Sequence, residues 1–264
     1  MNGETRRSRD PALRIQTRVI VALVLRDIKS RFGGKSANYI IAIAWPLGHM
    51  GVLIALYTFM GRPAPVGDSA PLFFATGLLP FILFNYPSRL MMQSVMTNAP
   101  LLNFPVVTPL DIILARAVLE AVTSFGVILV FGLILFAMDV NIIPRDPGPA
   151  VAALGAALFV SISIGVVNCV ITTFVRLWLF PYILIVIVLY LMSGILFVPE
   201  LVPEKIRDWL VWNPVLHMIE WFRSGYYENY GRQTLDRGYL LVVGLCALSI
   251  GLTAERATRR FASY

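Results

Sequence analysis

The sequence predicts an all-α fold: a polytopic membrane protein with six transmembrane helices, an N-terminal amphipathic interface helix and short re-entrant helices between spans five and six. Three observations carry this expectation. Of the 264 residues 58% are apolar and 14% charged, a balance that leaves a water-soluble globule too few polar groups to cover its surface. Six stretches reach or approach the ~20 apolar residues that a helix needs to cross about 30 Å of hydrocarbon. The net charge of +7 is also uneven, with nine of the 22 basic residues lying between Arg6 and Lys35, ahead of the first long apolar stretch. Such clustering marks a membrane-adjacent cytoplasmic segment rather than a nucleic-acid groove.

The chain divides into an N-terminal segment, 1–36, and a transmembrane domain, 37–264. From Leu13 to Phe32, in LRIQTRVIVALVLRDIKSRF, apolar residues recur at helical spacing among arginines. That pattern suits a helix lying along the cytoplasmic membrane surface, either as a basic anchor or also as a docking surface. A signal peptide is rejected, because Arg26, Asp27 and Lys29 follow the apolar run Val19 to Leu25 where a small-residue cleavage site belongs. Arg6-Arg7 lacks the apolar run that follows a twin-arginine signal.

The six expected spans are Ala37 to Met60, Leu72 to Val95, Ile112 to Met138, Ala150 to Val175, Leu177 to Val198 and Gly238 to Ala254. An even number puts both termini on one side. With the termini cytoplasmic, thirteen lysines and arginines lie inside and seven outside, so the positive-inside rule favours that orientation.

Two connections stand out. Between spans two and three, within 96–111, the run NAPLLNFPVVTPLD carries Pro100, Pro105 and Pro109, each opposing a continuous helix. A short, stiff cytoplasmic elbow is expected, and it is too apolar to be only solvated, which fits contact with another protein. After span five, 199–237 mixes aromatics with charges and holds two helical patterns broken at Asn213-Pro214. Neither half is long enough to cross, and two re-entrant or interfacial helices fit.

Chemical motifs are sparse. Gly33-Gly34-Lys35-Ser36 ends like a phosphate-binding loop, but the first glycine would fall at Lys29, and no buried strand precedes it. Any ATP must be hydrolysed by another chain. Cys169 and Cys246 lie inside apolar runs and read as small buried hydrophobes; with only His49 and His217 beside them, no metal site is expected. No nucleophile–base or paired-acid constellation presents itself for catalysis.

A few polar side chains fall inside spans. Arg116 and Glu120 stand one helical turn apart near Asp111 and can pair, either as a structural pair near the cytoplasmic face or as the lining of a polar path. An unpaired charge at mid-bilayer would cost about 2.5 to 3.5 kcal/mol. Arg89, with Asn85 and Gln93 one turn away on either side, forms a stripe that either meets an anionic substrate or snorkels to the interface. The aromatics Trp209, Trp212, Trp221, Phe222, Tyr226, Tyr227 and Tyr230 read as an interfacial belt. Flat rings also stack on sugars, so a sliding polysaccharide path remains open.

Several of these stretches resemble one family. RDIKSRFGGK, the following WPL, the elbow LLNFPVVTPLDIILARAVLE and above all NPVLHMIEWFRSGYY are similar to the ABC-2-type permeases of capsular polysaccharide export, the KpsM-like inner-membrane proteins, over about Arg26 to Tyr239. The resemblance implies a homodimer in the bacterial inner membrane. Each subunit would bind a separate ATPase holding ATP and Mg, and the assembly would move lipid-linked polysaccharide to the periplasm. A periplasmic co-polymerase-type adaptor and an outer-membrane channel are implied as further partners.

By the same likeness Arg26, Asp27, Arg31, Leu102, Phe104, Pro105, Pro109 and Asp111 would couple to the ATPase. The substrate path would draw on Arg89, Arg116, Glu120, Trp212, Trp221, Phe222, Arg223, Tyr226 and Tyr227. The elbow would pass ATP-driven motion to spans two and three. An O-antigen or teichoic-acid permease is the alternative within the class. An intramembrane enzyme acting on lipid-linked sugars, or a membrane scaffold, is the alternative outside it.

Overall fold

The structure, a computed structural model, describes residues 11–32, 37–61 and 63–258. These are helical or in turns and loops, with no strand among them. The N-terminal helix α1, Pro11–Phe32, lies where the arginine-spaced apolar pattern placed it. It is followed by α2, Ala37–Phe59, α3, Ala70–Leu90, and the single turn α4, Ser94–Thr97. Next come α5, Pro109–Ala137, α6, Pro147–Phe174, and α7, Leu179–Leu191. The short helices α8, Glu204–Leu210, and α9, Pro214–Arg223, precede α10, Arg237–Thr258.

Four of these, α3, α5, α6 and α10, are long and apolar enough to cross a membrane. In α2 the described apolar helix is Leu47–Phe59. The expected fifth span, Leu177 to Val198, is shorter than anticipated. α7 has 13 residues, or about 20 Å of helix. Beyond it the chain turns through Gly194 at φ +77°, a left-handed conformation that glycine adopts without steric cost.

α3 is the hub, with fourteen of its 21 residues buried. It packs on α2, α5, α6 and α9, while α10 runs along α6 and α1 lies against α5. The core is centred on its aromatics, Phe73, Phe74, Phe81 and Phe84. A second, smaller cluster joins Leu23 of α1 to Ile112 and Ile113 of α5 and to Val166 and Cys169 of α6.

Pro87 inside α3 explains why the expected span Leu72 to Val95 stops early. Proline removes an amide donor and its ring crowds the preceding turn. Just there, the Ser88 amide donates to the Ser161 hydroxyl of α6 at 3.0 Å, and that hydroxyl donates to the Phe84 carbonyl. One side chain thus bridges the two backbone groups that an unbroken helix would pair directly. The Tyr182 hydroxyl of α7 donates to Ser88 Oγ at 2.8 Å, and Ser88 Oγ to the Asn85 carbonyl. Asn168 Nδ2 reaches the Ser88 carbonyl, while Trp178 Nε1 donates to Asn168 Oδ1 at 3.0 Å. This junction fixes α3, α6 and α7 to one another where apolar packing alone sets no register.

The proline-bearing run between α4 and α5 is not continuous helix. A 3-10 turn, Ala99–Asn103, follows α4, and Thr108 caps α5 in a capping box with Asp111. The Thr108 amide and hydroxyl donate to Asp111 Oδ2 at 2.9 and 2.8 Å, while Gln16 of α1 donates to Oδ1 at 3.0 Å. The same carboxylate therefore starts α5 and tethers α1.

Ser161→Ala is expected to lower the stability of the purified chain by about 1 to 3 kcal/mol, the usual consequence of stranding buried polar groups. Thermal unfolding in detergent measures it, and Ser161→Thr, which keeps the hydroxyl, should recover part of the loss.

Candidate functional site

The bundle brings the in-span charges together at the α1 end. The C-terminus of α3, the N-termini of α5 and α7, the turn α4 and the face of α1 border a half-open chamber of about 830 Å³. Arg26 and Asp27 enter from α1, Arg89 from α3, Arg116 from α5, and Gln93, Thr97 and Asn98 from the α3–α4 turn. Leu90, Leu179 and Ile183 supply its apolar wall.

The charges are partnered to different degrees. Arg116 Nε meets Glu120 Oε1 at 2.8 Å, the pairing expected of an i, i+4 couple, and Glu120 is buried. Arg26 pairs with its neighbour Asp27 and donates to Asn98 Oδ1 of the elbow. Arg89 is half-buried, and its guanidinium lies 5.8 Å from the Tyr86 ring centroid, within cation–π range. Among the described residues it has no carboxylate partner.

A second space of about 320 Å³ continues from the chamber, sharing Arg89 and Ile183 and bounded by α2, α3 and α7. Its lining includes His49, Phe81, Asn85, Tyr86 and Tyr190. The Tyr190 hydroxyl lies 3.3 Å from His49 Nε2, and its ring meets Phe81 edge-on at 5.0 Å. Chamber and groove adjoin at Arg89 and Ile183, the first lined by arginines and the second by aromatics. His49, Tyr86 and Tyr190 were not anticipated from the sequence. Tyr86 and Phe81 share the Arg89 face of α3 at helical spacing, a signal open to reading, whereas Tyr190 joins them only through the fold.

The residues expected to couple to an ATPase separate into two groups. Arg26 and Asp27 face the chamber, and Asp111 is buried as cap and tether. Leu102 is half-buried against the α1–α5 cluster, and Pro109 opens α5. Phe104, Pro105 and Val106 form an exposed prong, with Phe104 61% exposed. The side chain of Arg31 lies outside the described residues.

The expected aromatic path residues lie at the opposite end of the bundle. Phe222 and Arg223 are buried, and Phe222 borders, with Tyr226, an apolar hollow of about 700 Å³ between α3, α5 and α6. Arg223 donates to the carbonyls of Gly194, Phe73 and Ile195 and to the Tyr230 hydroxyl, at 2.7 to 3.2 Å. Its guanidinium stacks 3.8 Å from the Phe73 centroid. Gly77 makes the room, since a Cβ there would stand 2.8 Å from Arg223 Nη2. Trp221 and Tyr226 pack half-buried against the main cluster, as does Tyr227, whereas Trp212 is exposed.

Beside Arg223, Glu220 is buried and both its oxygens accept from Thr234 Oγ1, at 2.6 and 2.5 Å. Burial raises its pKa to about 7, against the opposing pull of Thr234. His217 Nε2 donates to the Val211 carbonyl at 2.8 Å and Nδ1 accepts from the Asp236 amide at 3.0 Å. Burial lowers its pKa, and the two bonds describe a neutral imidazole stapling α9 to the start of α10. Among the described residues no group of three or more His, Cys, Asp or Glu is placed to hold a metal.

Residues 17–227 match the family model of the ABC-2 type transporter. The chain is similar to the polysialic acid transport protein KpsM of Escherichia coli, 29% identical over 92% of this chain and 94% of that one. It is 27% identical to the capsule polysaccharide export inner-membrane protein CtrC of Neisseria meningitidis and 25% identical to BexB, of the same description, from Haemophilus influenzae. Each of those two alignments covers 91% of both chains.

Glu220 yields a pH prediction. Its folded pKa lies above the ordinary 4.5, so its contribution to stability is full below about pH 4.5 and is lost as pH rises through about 7. Glu220→Gln should remove that decline from the thermal-unfolding profile. His217 acts in the opposite sense, its contribution being present above pH 6.5 and lost on acidification, and His217→Gln should flatten the acid side.

Proposed function

Because this chain belongs to the ABC-2 type transporter family, we propose that it is the membrane-spanning permease subunit of an ABC exporter that carries lipid-linked capsular polysaccharide from cytoplasm to periplasm. The observation that carries the reading is an arginine-lined chamber adjoining an aromatic groove at Arg89 and Ile183, surfaces over which a hydrophilic polymer can slide. The capsule-export relatives, matched over nine-tenths of their length, favour a capsule system over an O-antigen or teichoic-acid one.

The chain sits in the bacterial inner membrane and crosses it six times, α2 and α7 completing the four long spans. Both termini are cytoplasmic, which places the chamber and the Phe104 prong on the cytoplasmic side and α8 and α9 as re-entrant helices on the periplasmic side. Two copies pair. Of the residues of α7, only Tyr182 and Val186 are buried within one subunit, and the groove it borders needs a further wall. ATP and Mg are held by a separate ATPase, on which the exposed Phe104–Pro105–Val106 prong docks. The Arg26 to Asn98 and Gln16 to Asp111 bonds make α1 and the elbow one body, so a push on the prong reaches α5 and, through the chamber wall, α3. A periplasmic adaptor and an outer-membrane channel carry the polymer onward.

In the source bacterium lacking this chain, full-length polymer should accumulate in the cytoplasm. Absent or shortened polymer would indicate a synthetic enzyme, and normal surface polymer would rule out this transport role. Phe104→Ala should weaken co-purification of the partner ATPase at least several-fold and reduce export, while leaving the subunit's thermal stability near that of the parent, because the ring contacts little of its own chain.

A further inference from the structure

The halves of α3, α5 and α6 that lie away from α1 do not close on one another. Between them is the apolar hollow of about 700 Å³ that Phe222 and Tyr226 border. Its walls run from Ile128 to Phe136 on α5 and from Pro147 to Leu154 on α6, about 10 to 12 Å at a rise of 1.5 Å per residue. That is most of the ~15 Å of hydrocarbon in one leaflet. Among the described residues no charged side chain lines it, and the Thr76 hydroxyl already donates to the Phe73 carbonyl at 2.9 Å. Leu129, Leu133, Phe136 and Val151 are exposed on its walls, so the hollow opens on the flank of three helices long enough to cross a membrane. Water finds no bonding partners on such a lining, and a void there forfeits dispersion contacts along all of it. Hydrocarbon is the filling that avoids both costs.

The mouth of the hollow is braced and charged. The Asp146 amide donates to the Gly225 carbonyl at 2.9 Å, and a Cβ at Gly225 would stand 2.8 Å from the Asp146 carbonyl oxygen, so the α5–α6 connection is pinned against the turn after α9. On this rim Arg145, between the lining residues Pro144 and Pro147, pairs with Glu228, just beyond Tyr226. Both side chains of the pair are exposed. With Asp146 beside them the rim carries two carboxylates to one guanidinium.

We propose that this hollow holds one acyl chain of a phospholipid whose head carries an ammonium beside its phosphate, the phosphate taken by Arg145 and the ammonium by Glu228. The Arg145–Glu228 pair then opens to make two complementary contacts. A purely anionic head would meet Glu228 and Asp146 with no cation of its own to offer them, and like charges brought together oppose binding. A partner's spanning helix fits the space less well. One helical turn with its side chains is roughly 10 to 12 Å across and 5.4 Å long, on the order of 400 to 600 Å³, so the hollow seats little more than one turn. A flexible chain one leaflet long matches its length. The outer leaflet as its location rests on the cytoplasmic termini of the permease reading; the site itself needs only that α3, α5 and α6 lie in a bilayer.

The test is lipid retention by the full-length chain, delipidated in detergent and titrated with dioleoyl phosphatidylethanolamine, anionic dioleoyl phosphatidylglycerol or uncharged dioleoylglycerol, with native mass spectrometry as readout. The ethanolamine lipid should bind at least about threefold more tightly than either of the others, the scale of one partly exposed ion pair. Gly132→Leu and Val151→Phe, which add bulk to the hollow at open positions, should each remove one retained lipid per subunit. Leu245→Phe, at an exposed position on α10, should remove none. Glu228→Gln should abolish the preference for the ethanolamine head and leave the thermal midpoint unchanged. Undiminished retention in well-folded Gly132→Leu and Val151→Phe chains overturns the site. No preference for the ethanolamine head, or one that survives Glu228→Gln, overturns the headgroup assignment and with it the proposal. Disulfide-linked dimers of Val151→Cys in a Cys246→Ala chain would give the hollow to a second copy and equally overturn it. Lipid binding as expected, together with normal surface polymer in the strain lacking the chain, would keep this site and sink the permease reading. Trapped polymer without the lipid preference would do the reverse.

Discussion

The structure turns on the hydroxyl of Ser161. Pro87 interrupts the helix on which α2, α5, α6, α7 and α9 pack, and in a membrane a freed backbone group cannot turn to water. Ser161 accepts from the Ser88 amide and donates to the Phe84 carbonyl, so the break is closed by a neighbouring helix instead of by solvent. Because Tyr182 and Asn168 join the same junction, the repair also fixes where α6 and α7 stand against α3. Apolar contact in lipid is non-directional and sets no such register; a few buried hydrogen bonds do.

The consequences run in both directions along α3. Beyond the junction the helix ends, Arg89 is held toward the α1 end, and α4 begins the elbow. Toward the opposite end the same helix offers Gly77 and the Phe73 ring to Arg223. That guanidinium collects the carbonyls of the Gly194 turn, which exist as unpaired acceptors because α7 stops at Leu191. The short α7 and the buried Arg223 are therefore one feature: the helix stops early, and a cation from α9 satisfies the backbone it leaves open. The two arginines on this axis have opposite fates. One is enclosed by acceptors from its own chain, and the other faces a chamber in which cations outnumber anions.

The elbow shows how a loop can be stiff without being buried. Prolines remove conformations, the Thr108–Asp111 box starts α5 at a defined residue, and Gln16 and Arg26 bind α1 to either side of it. What remains exposed is a small apolar prong on a braced base, a geometry able to transmit a displacement instead of absorbing it.

Composition and apolar run length alone determined that this chain is helical and membrane-spanning, since crossing hydrocarbon admits few backbone solutions. The residues themselves marked α1, the proline elbow, the Asn213-Pro214 break and the Arg116–Glu120 pair, because caps, prolines and i, i+4 spacing are local rules. The tertiary structure decided the rest. Arg26 and Asp27 line the same chamber as Arg89 because α1 packs on α5. Phe222 and Arg223 are buried because α9 is enclosed by α3, α6 and α10, which the amphipathic pattern of α9 does not show. Tyr190 and His49 meet across 141 positions of sequence, a distance at which no local pattern carries information. The physical reason is the same in each case: periodicity tells which face of a helix is apolar, but in a chain apolar on most faces only the few directional bonds choose which face meets which neighbour.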